Sequence, residues 1–91
     1  MRYDLRSSAR YKKDLKAAIR RGYDMSIMDT AVGILLSGEP LPEKYYDHAL
    51  TGNWIGHREC HLTPDWLLIY RIEKENLILV LTRTGTHSDL F

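Results

Sequence analysis

Two apolar runs, WLLIYRI (Trp66–Ile72) and LILVL (Leu77–Leu81), are separated by only the four residues Glu73–Asn76. Runs this short that lie so close together predict two antiparallel strands joined by a hairpin turn. The first is apolar on both of its alternating faces, so it belongs in the middle of a sheet with both sides covered. Neither run approaches the roughly twenty apolar residues that a membrane-spanning helix needs, and no membrane partner is expected. The rest of the chain must therefore supply neighbouring strands and something to cover them.

Upstream of this hairpin, Trp54, Gly56, Arg58, Cys60 and Leu62 alternate with Ile55, His57, Glu59 and His61, which predicts a third sheet strand. Thr63-Pro64-Asp65 then turns the chain, because proline presets the φ that a tight turn requires. At the N-terminus Tyr3 and Leu5 alternate with charged residues as a short opening strand, and Ser7 or Ser8 offers a helix N-cap. Tyr11, Leu15, Ala18 and Ile19 form one apolar stripe and Lys12, Lys16 and Arg20 another, polar, face; Gly22 ends that helix. A second helix carries Met28, Val32 and Leu35, begins at a Ser26/Asp29 capping box and stops at Gly38. The segment Glu39–Asn53, with Pro40 and Pro42, is a loop long enough to carry function. The predicted fold is α+β in the order β-α-α-β-β-β, an antiparallel sheet with a helical hairpin packed on one face. Residues 1–91 make one domain, enough for a single modest core.

Charge is unevenly placed. Residues 1–21 carry eight Lys/Arg against Asp4 and Asp14, whereas residues 22–70 carry Lys44 and Arg58 against seven acids. A basic first fifth is either a polyanion footprint or a solvated helix face. The single Cys60 rules out an internal disulfide and fits a reducing, cytoplasmic setting. The N-terminal MRYDLRSSARYKK has no apolar segment after its charges, so no secretory signal is expected.

The residues able to do chemistry lie where these elements end. In an antiparallel meander His61, at the end of one strand, meets Asp65 and Trp66, at the start of the next. Arg83 and His87, just past the last strand, come to the same edge, with His48 close by in the long loop. Each residue alone has an ordinary surface or turn explanation; together they are the inventory for RNA cleavage without a metal. Imidazole, whose unperturbed pKa is about 6.5, suits proton transfer both from a ribose 2′-OH and to a leaving 5′-oxygen. Arginine suits the phosphoryl charge, and exposed aromatics suit base stacking. The rival is a metal held by His57, Glu59 and His61 of HRECH. Cys60 points away from these, no CxxC-type spacing supports the site, and no metal or other cofactor is expected.

The combination of LPEKYYDHALTGNWIGHRECHLTPDWLLIYRI with LTRTGTHSDLF resembles the YafQ toxins of the RelE/ParE superfamily, over most of residues 41–91. The resemblance implies a RelE/ParE-like, microbial ribonuclease-like fold. It also implies ribosome-dependent endoribonuclease action on mRNA in the A site, with a cognate antitoxin as partner. Carried onto matching positions, it assigns His48, His61, Asp65 and His87 to catalysis and Arg83 to a phosphate or leaving-group contact. Trp66 and Phe91 would support substrate or active-site geometry. His87 is expected as general acid and His48 or Asp65 as general base, with His61 orienting or stabilising charge. Lys12, Lys16 and Arg20 then become a candidate contact with ribosomal RNA. Two alternatives stand beside this. One is a superfamily toxin that binds a protein such as DNA gyrase; the other is an inactive partner of an antitoxin.

Overall fold

The computed structural model describes residues 2–91. Its centre is the hairpin expected from the two apolar runs, β4 (Trp66–Glu73) and β5 (Ile78–Gly85). Three more strands flank it: β1 (Asp4–Ser7), β2 (His48–Ala49) and β3 (Arg58–Thr63). The sheet order is β1-β5-β4-β3-β2. Pairing is antiparallel from β5 to β2, while β1 joins the other edge parallel to β5.

The two helices are α1 (Ala9–Arg20) and α2 (Met25–Leu36). Of the two serines expected as candidates, Ser7 and Ser8, it is Ser8 whose hydroxyl caps α1 by accepting the Tyr11 N–H. Asp24, not Ser26, caps α2: its carboxylate accepts from the Ser26 N–H and hydroxyl, so the expected capping box does not form. Gly22 turns the chain between the helices at φ +82°, a conformation that an L side chain rarely adopts. Ile19, expected in the buried stripe of α1, is instead 55% exposed, because Tyr11 and Ala18 face the sheet.

Both faces of β4 are covered, for different reasons. Leu68 and Tyr70 face the helices and join Cys60, Leu79, Leu81, Val32 and Leu35 in the main core. Leu67 and Ile69 face the opposite way into a smaller cluster with Leu90, against which Leu50 and Trp54 pack. The second cluster matters most for function. It draws the long loop and the C-terminal tail onto the back of the sheet, where neither could be held by backbone pairing alone. The loop is accordingly more ordered than its prolines imply. It contains 3₁₀ turns at Glu43–Tyr45 and Gly52–Trp54 as well as β2, which delays the start of β3 to Arg58. The tail ends in a short helix, α3 (His87–Leu90), with Thr86 and Asp89 forming a reciprocal capping box. Among the described residues no helix is long and apolar enough to cross a membrane.

Candidate active site

The back of the sheet, beside β2 and α3, carries a row of three imidazoles. His61 is half-buried on β3 opposite Leu67, and Leu67 is in turn opposite Gly85, just before α3. This register brings the last strand's exit to His61, as the meander required. The ring centroids of His61 and His87 are 5.7 Å apart, and those of His61 and His48 are 6.3 Å apart. His48 lies in β2 directly opposite Glu59.

Carboxylates hold this row. Glu59 is only 4% exposed. Its Oε1 lies 3.5 Å from His48 Nε2 and 3.7 Å from His61 Nε2, so one buried carboxylate faces two rings. His48 Nδ1 is 2.8 Å from the Tyr46 carbonyl oxygen. A carbonyl can only accept, so Nδ1 carries the proton and Nε2 of the neutral ring has the lone pair. At the other end, Asp65 Oδ1 accepts from both His87 Nδ1, at 2.9 Å, and the His87 backbone N–H, at 3.2 Å. These two bonds hold the Asp65 carboxyl below the usual carboxylate range and leave His87 Nε2 without a hydrogen-bond partner among the described residues.

The tail is fixed from a third direction. Arg21, just past α1, donates to both oxygens of Asp89, at 2.7 and 3.3 Å. Asp89 also accepts the Thr86 N–H at 2.9 Å, and the two contacts depress its carboxyl well below the usual range. Gly85 makes room: a Cβ there would lie 2.9 Å from the Asp89 Cβ. The position of His87 is thus set by Asp65 directly and by Arg21 through Asp89.

Not every residue singled out by the sequence joins the row. Trp66 is 2% exposed and sits in the main core, its ring centroid 5.0 Å from that of Tyr23. It is not available to stack on an RNA base; it anchors the start of β4. Phe91 is 61% exposed at the end of α3 and remains free to contact substrate. Arg83 turns toward α1, where its Nε and terminal nitrogen donate to Asp14 at 2.8 and 3.2 Å. Asp14 neutralises the guanidinium and also accepts the Thr84 N–H at 3.2 Å. Arg83 therefore acts as a clamp between β5 and α1 and makes no hydrogen bond to the histidine row. Lys12, Lys16 and Arg20 are exposed along α1, and none pairs with an acid among the described residues.

Two further residues belong to the site. Glu59 entered the sequence reading only as a metal ligand, yet its alternation with His61 already placed both on one face. Tyr46 had no local signal. It adopts a left-handed conformation, φ 48° and ψ 42°, at the end of the Glu43–Tyr45 turn. A bulky residue held there costs on the order of 1–3 kcal/mol, and such strain clusters at functional sites. Its neighbour Asp47 holds the turn in place by accepting from Arg58, at 3.0 and 3.1 Å, and from the Tyr70 hydroxyl, at 2.5 Å.

The metal set expected least from HRECH does not form, because His57 precedes β3 and packs edge-on against Trp54. A different trio, Glu59, His61 and His87, has ligand atoms within 4.8 Å of one another. One carboxylate and two imidazoles are a donor set that suits a divalent transition metal.

A small α+β fold whose sheet edge presents three imidazoles, each facing a carboxylate, describes a compact acid–base catalyst. Comparison with known proteins makes the assignment specific. Residues 3–91 match the family described as bacterial toxin of type II toxin–antitoxin system, YafQ. The chain is 42% identical over 89 residues to the mRNA interferase toxin YafQ of Escherichia coli strain K12, covering 97% of this chain and 95% of that one. Its structure is similar to that of the toxin in the E. coli DinJ–YafQ toxin–antitoxin complex, with a TM-score of 0.89, 40% identity and coverage of 100% and 99%. It is also similar to a metal-bound toxin from Helicobacter pylori, with a TM-score of 0.92, 43% identity and coverage of 98% and 99%. The chain belongs to the YafQ family of type II toxins.

Proposed function

We propose that this toxin is an endoribonuclease that cleaves mRNA in the ribosomal A site by metal-independent acid–base catalysis and so stops translation. The observation that carries the reading is the row His48–His61–His87, with Glu59 and Asp65 fixing its two ends. Neutral His48, with its lone pair on Nε2, takes the proton from the ribose 2′-OH. The freed oxygen attacks the adjacent phosphorus, and a 2′,3′-cyclic phosphate forms as the P–O5′ bond breaks. Protonated His87 gives its Nε2 proton to the departing 5′-oxygen. Protonated His61, between them, holds the charge that builds on the phosphoryl oxygens. Asp65 is a positioning group, because its Oδ1 is already engaged twice by His87 and the carboxyl is held in its charged, weakly basic form. The engagement of Asp65 by His87 supports His48 rather than Asp65 as the base. Arg83, bound to Asp14, positions β5.

The exposed Lys12, Lys16 and Arg20 on α1 supply the contact with ribosomal RNA, where each neutralised phosphate releases counterions. A cognate antitoxin is the protein partner, by similarity to the E. coli complex. The acid–base row favours catalysis over a toxin that acts only by holding a protein target.

The trio Glu59, His61 and His87 supports a second, inhibitory reading. A divalent metal bound there, as the H. pylori toxin's structure is metal-bound, would occupy the nitrogens needed for proton transfer. Added Zn²⁺ or Cu²⁺ should then slow cleavage and EDTA restore it.

The test of the assignment is a rate comparison on ribosomes programmed with a defined mRNA. His87→Ala should abolish cleavage with folding unchanged, and a folded His87→Ala protein that still cut would remove His87 as the acid.

A further inference from the structure

Trp66 is buried and cannot stack on a base, and besides Phe91 a second exposed aromatic, Tyr46, stands beside the imidazole row. Tyr46 is 71% exposed. Its ring meets that of His61 edge-on, centroids 5.8 Å apart at 69°, which leaves ring surface open to solvent. Its carbonyl is the group that fixes the tautomer of His48. One residue therefore touches two members of the imidazole row. A groove of about 370 Å³ opens beside it, running from His61 and Tyr46 past Lys44 to Ser26 and Thr30 at the start of α2. That volume lies within the range of small-ligand sites and accommodates a nucleobase. Lys44, exposed at the groove's edge, offers a cation for the phosphate that follows the base.

We propose that Tyr46 is the stacking platform for a nucleobase of the mRNA codon next to the scissile phosphate, with the adjoining groove receiving that base. This deepens the proposed function and rests on it for the identity of the RNA. The left-handed backbone is what aims the ring. An extended residue at this position would direct its side chain elsewhere, and the Asp47 anchor holds the turn against relaxation. Stacking is tolerant of base identity, so Tyr46 sets affinity and placement of the codon more than its sequence.

The experiment measures binding and so does not depend on cleavage. Affinity is determined for ribosomes whose A-site codon is 2′-O-methylated, with each codon base replaced in turn by an abasic nucleotide. Wild type is compared with Tyr46→Phe, Tyr46→Ala and Tyr46→Asn. Asparagine tolerates the left-handed conformation, so it separates loss of the ring from loss of the turn. At one codon position the abasic nucleotide should weaken wild type and Tyr46→Phe by about fivefold to a hundredfold. It should cost Tyr46→Ala and Tyr46→Asn almost nothing further. Abasic and Tyr46 effects that simply multiply at all three positions would overturn the proposal, even in a protein that cleaves normally. Coupling at one position in a protein that never cleaves would keep the platform and overturn the nuclease reading.

Discussion

Removing the Asp14 carboxylate should weaken the fold far more than a surface ion pair would. Asp14 accepts from Arg83 at 2.8 and 3.2 Å and from the Thr84 N–H at 3.2 Å, and it joins residues 69 and 70 positions away. The two side chains are only 13% and 15% exposed. Hydrogen bonds to charged groups contribute about 1.5–3 kcal/mol each, and an abandoned half-buried partner adds its own desolvation cost. Partial solvent access reduces the sum, so Asp14→Ala should cost about 2–4 kcal/mol. A domain of this size has on the order of 5–13 kcal/mol of stability in total. With a urea slope of about 1 kcal/mol per molar, the unfolding midpoint should fall by about 2–4 M. Arg83→Met should produce a similar fall. The double variant should lose much less than the sum, with a coupling of about 1–3 kcal/mol. Under conditions where Arg83→Met is folded, its kcat should remain within a few fold of wild type. An unchanged midpoint together with a hundredfold loss of kcat would refute the clamp and return Arg83 to the reacting phosphate.

Three further expectations address the site's supports. Arg21 and Thr86 depress the folded Asp89 carboxyl, so that stabilisation is present above its ordinary pKa of about 3.9 and is lost as pH falls below it. Protection factors of the amides in Thr86–Phe91, taken against the unfolded-chain rate at each pH, should therefore fall below about pH 4 in wild type and be low already at neutral pH in Arg21→Ala; equal protection in both at pH 7 would show that Asp89 does not dock the tail. Glu59→Gln keeps the shape of the buried side chain but removes the charge facing His48 and His61, and cleavage should fall by at least about tenfold with the fold retained. Trp66→Ala should cost about 3–5 kcal/mol by calorimetry while Phe91→Ala changes stability little, the reverse of what a stacking role for Trp66 would give.

Much of this architecture was readable because it rests on local pattern. The β4–β5 hairpin follows from two apolar runs and the four residues between them, and a serine cap at Ser7 or Ser8 and the Gly22 turn follow from residue chemistry alone. The meeting of His61, Asp65 and His87 follows from antiparallel register, which ties the end of one strand to the start of the next. What was not readable depends on contacts distant in sequence. Nothing near Arg83 says that Asp14 will neutralise it. Nothing near Trp66 says that Tyr23 and the register shift after His61 will bury it. A two-residue strand such as β2 is too short to have a period, so the pairing of His48 with Glu59 was invisible until β3 was in place. Tyr46 is a conformational matter: its positive φ comes from the turn and its Asp47 anchor, and tyrosine carries no signal for it.

The central claim is that three imidazoles cut RNA without a metal. The direct test incubates the antitoxin-free toxin with ribosomes programmed with a defined mRNA, with and without EDTA, and maps the new ends. The account predicts cuts in the A-site codon, undiminished by EDTA, that leave a 2′,3′-cyclic or 3′-phosphate and a 5′-hydroxyl. Cleavage abolished by EDTA, or ends carrying a 5′-phosphate, would contradict it.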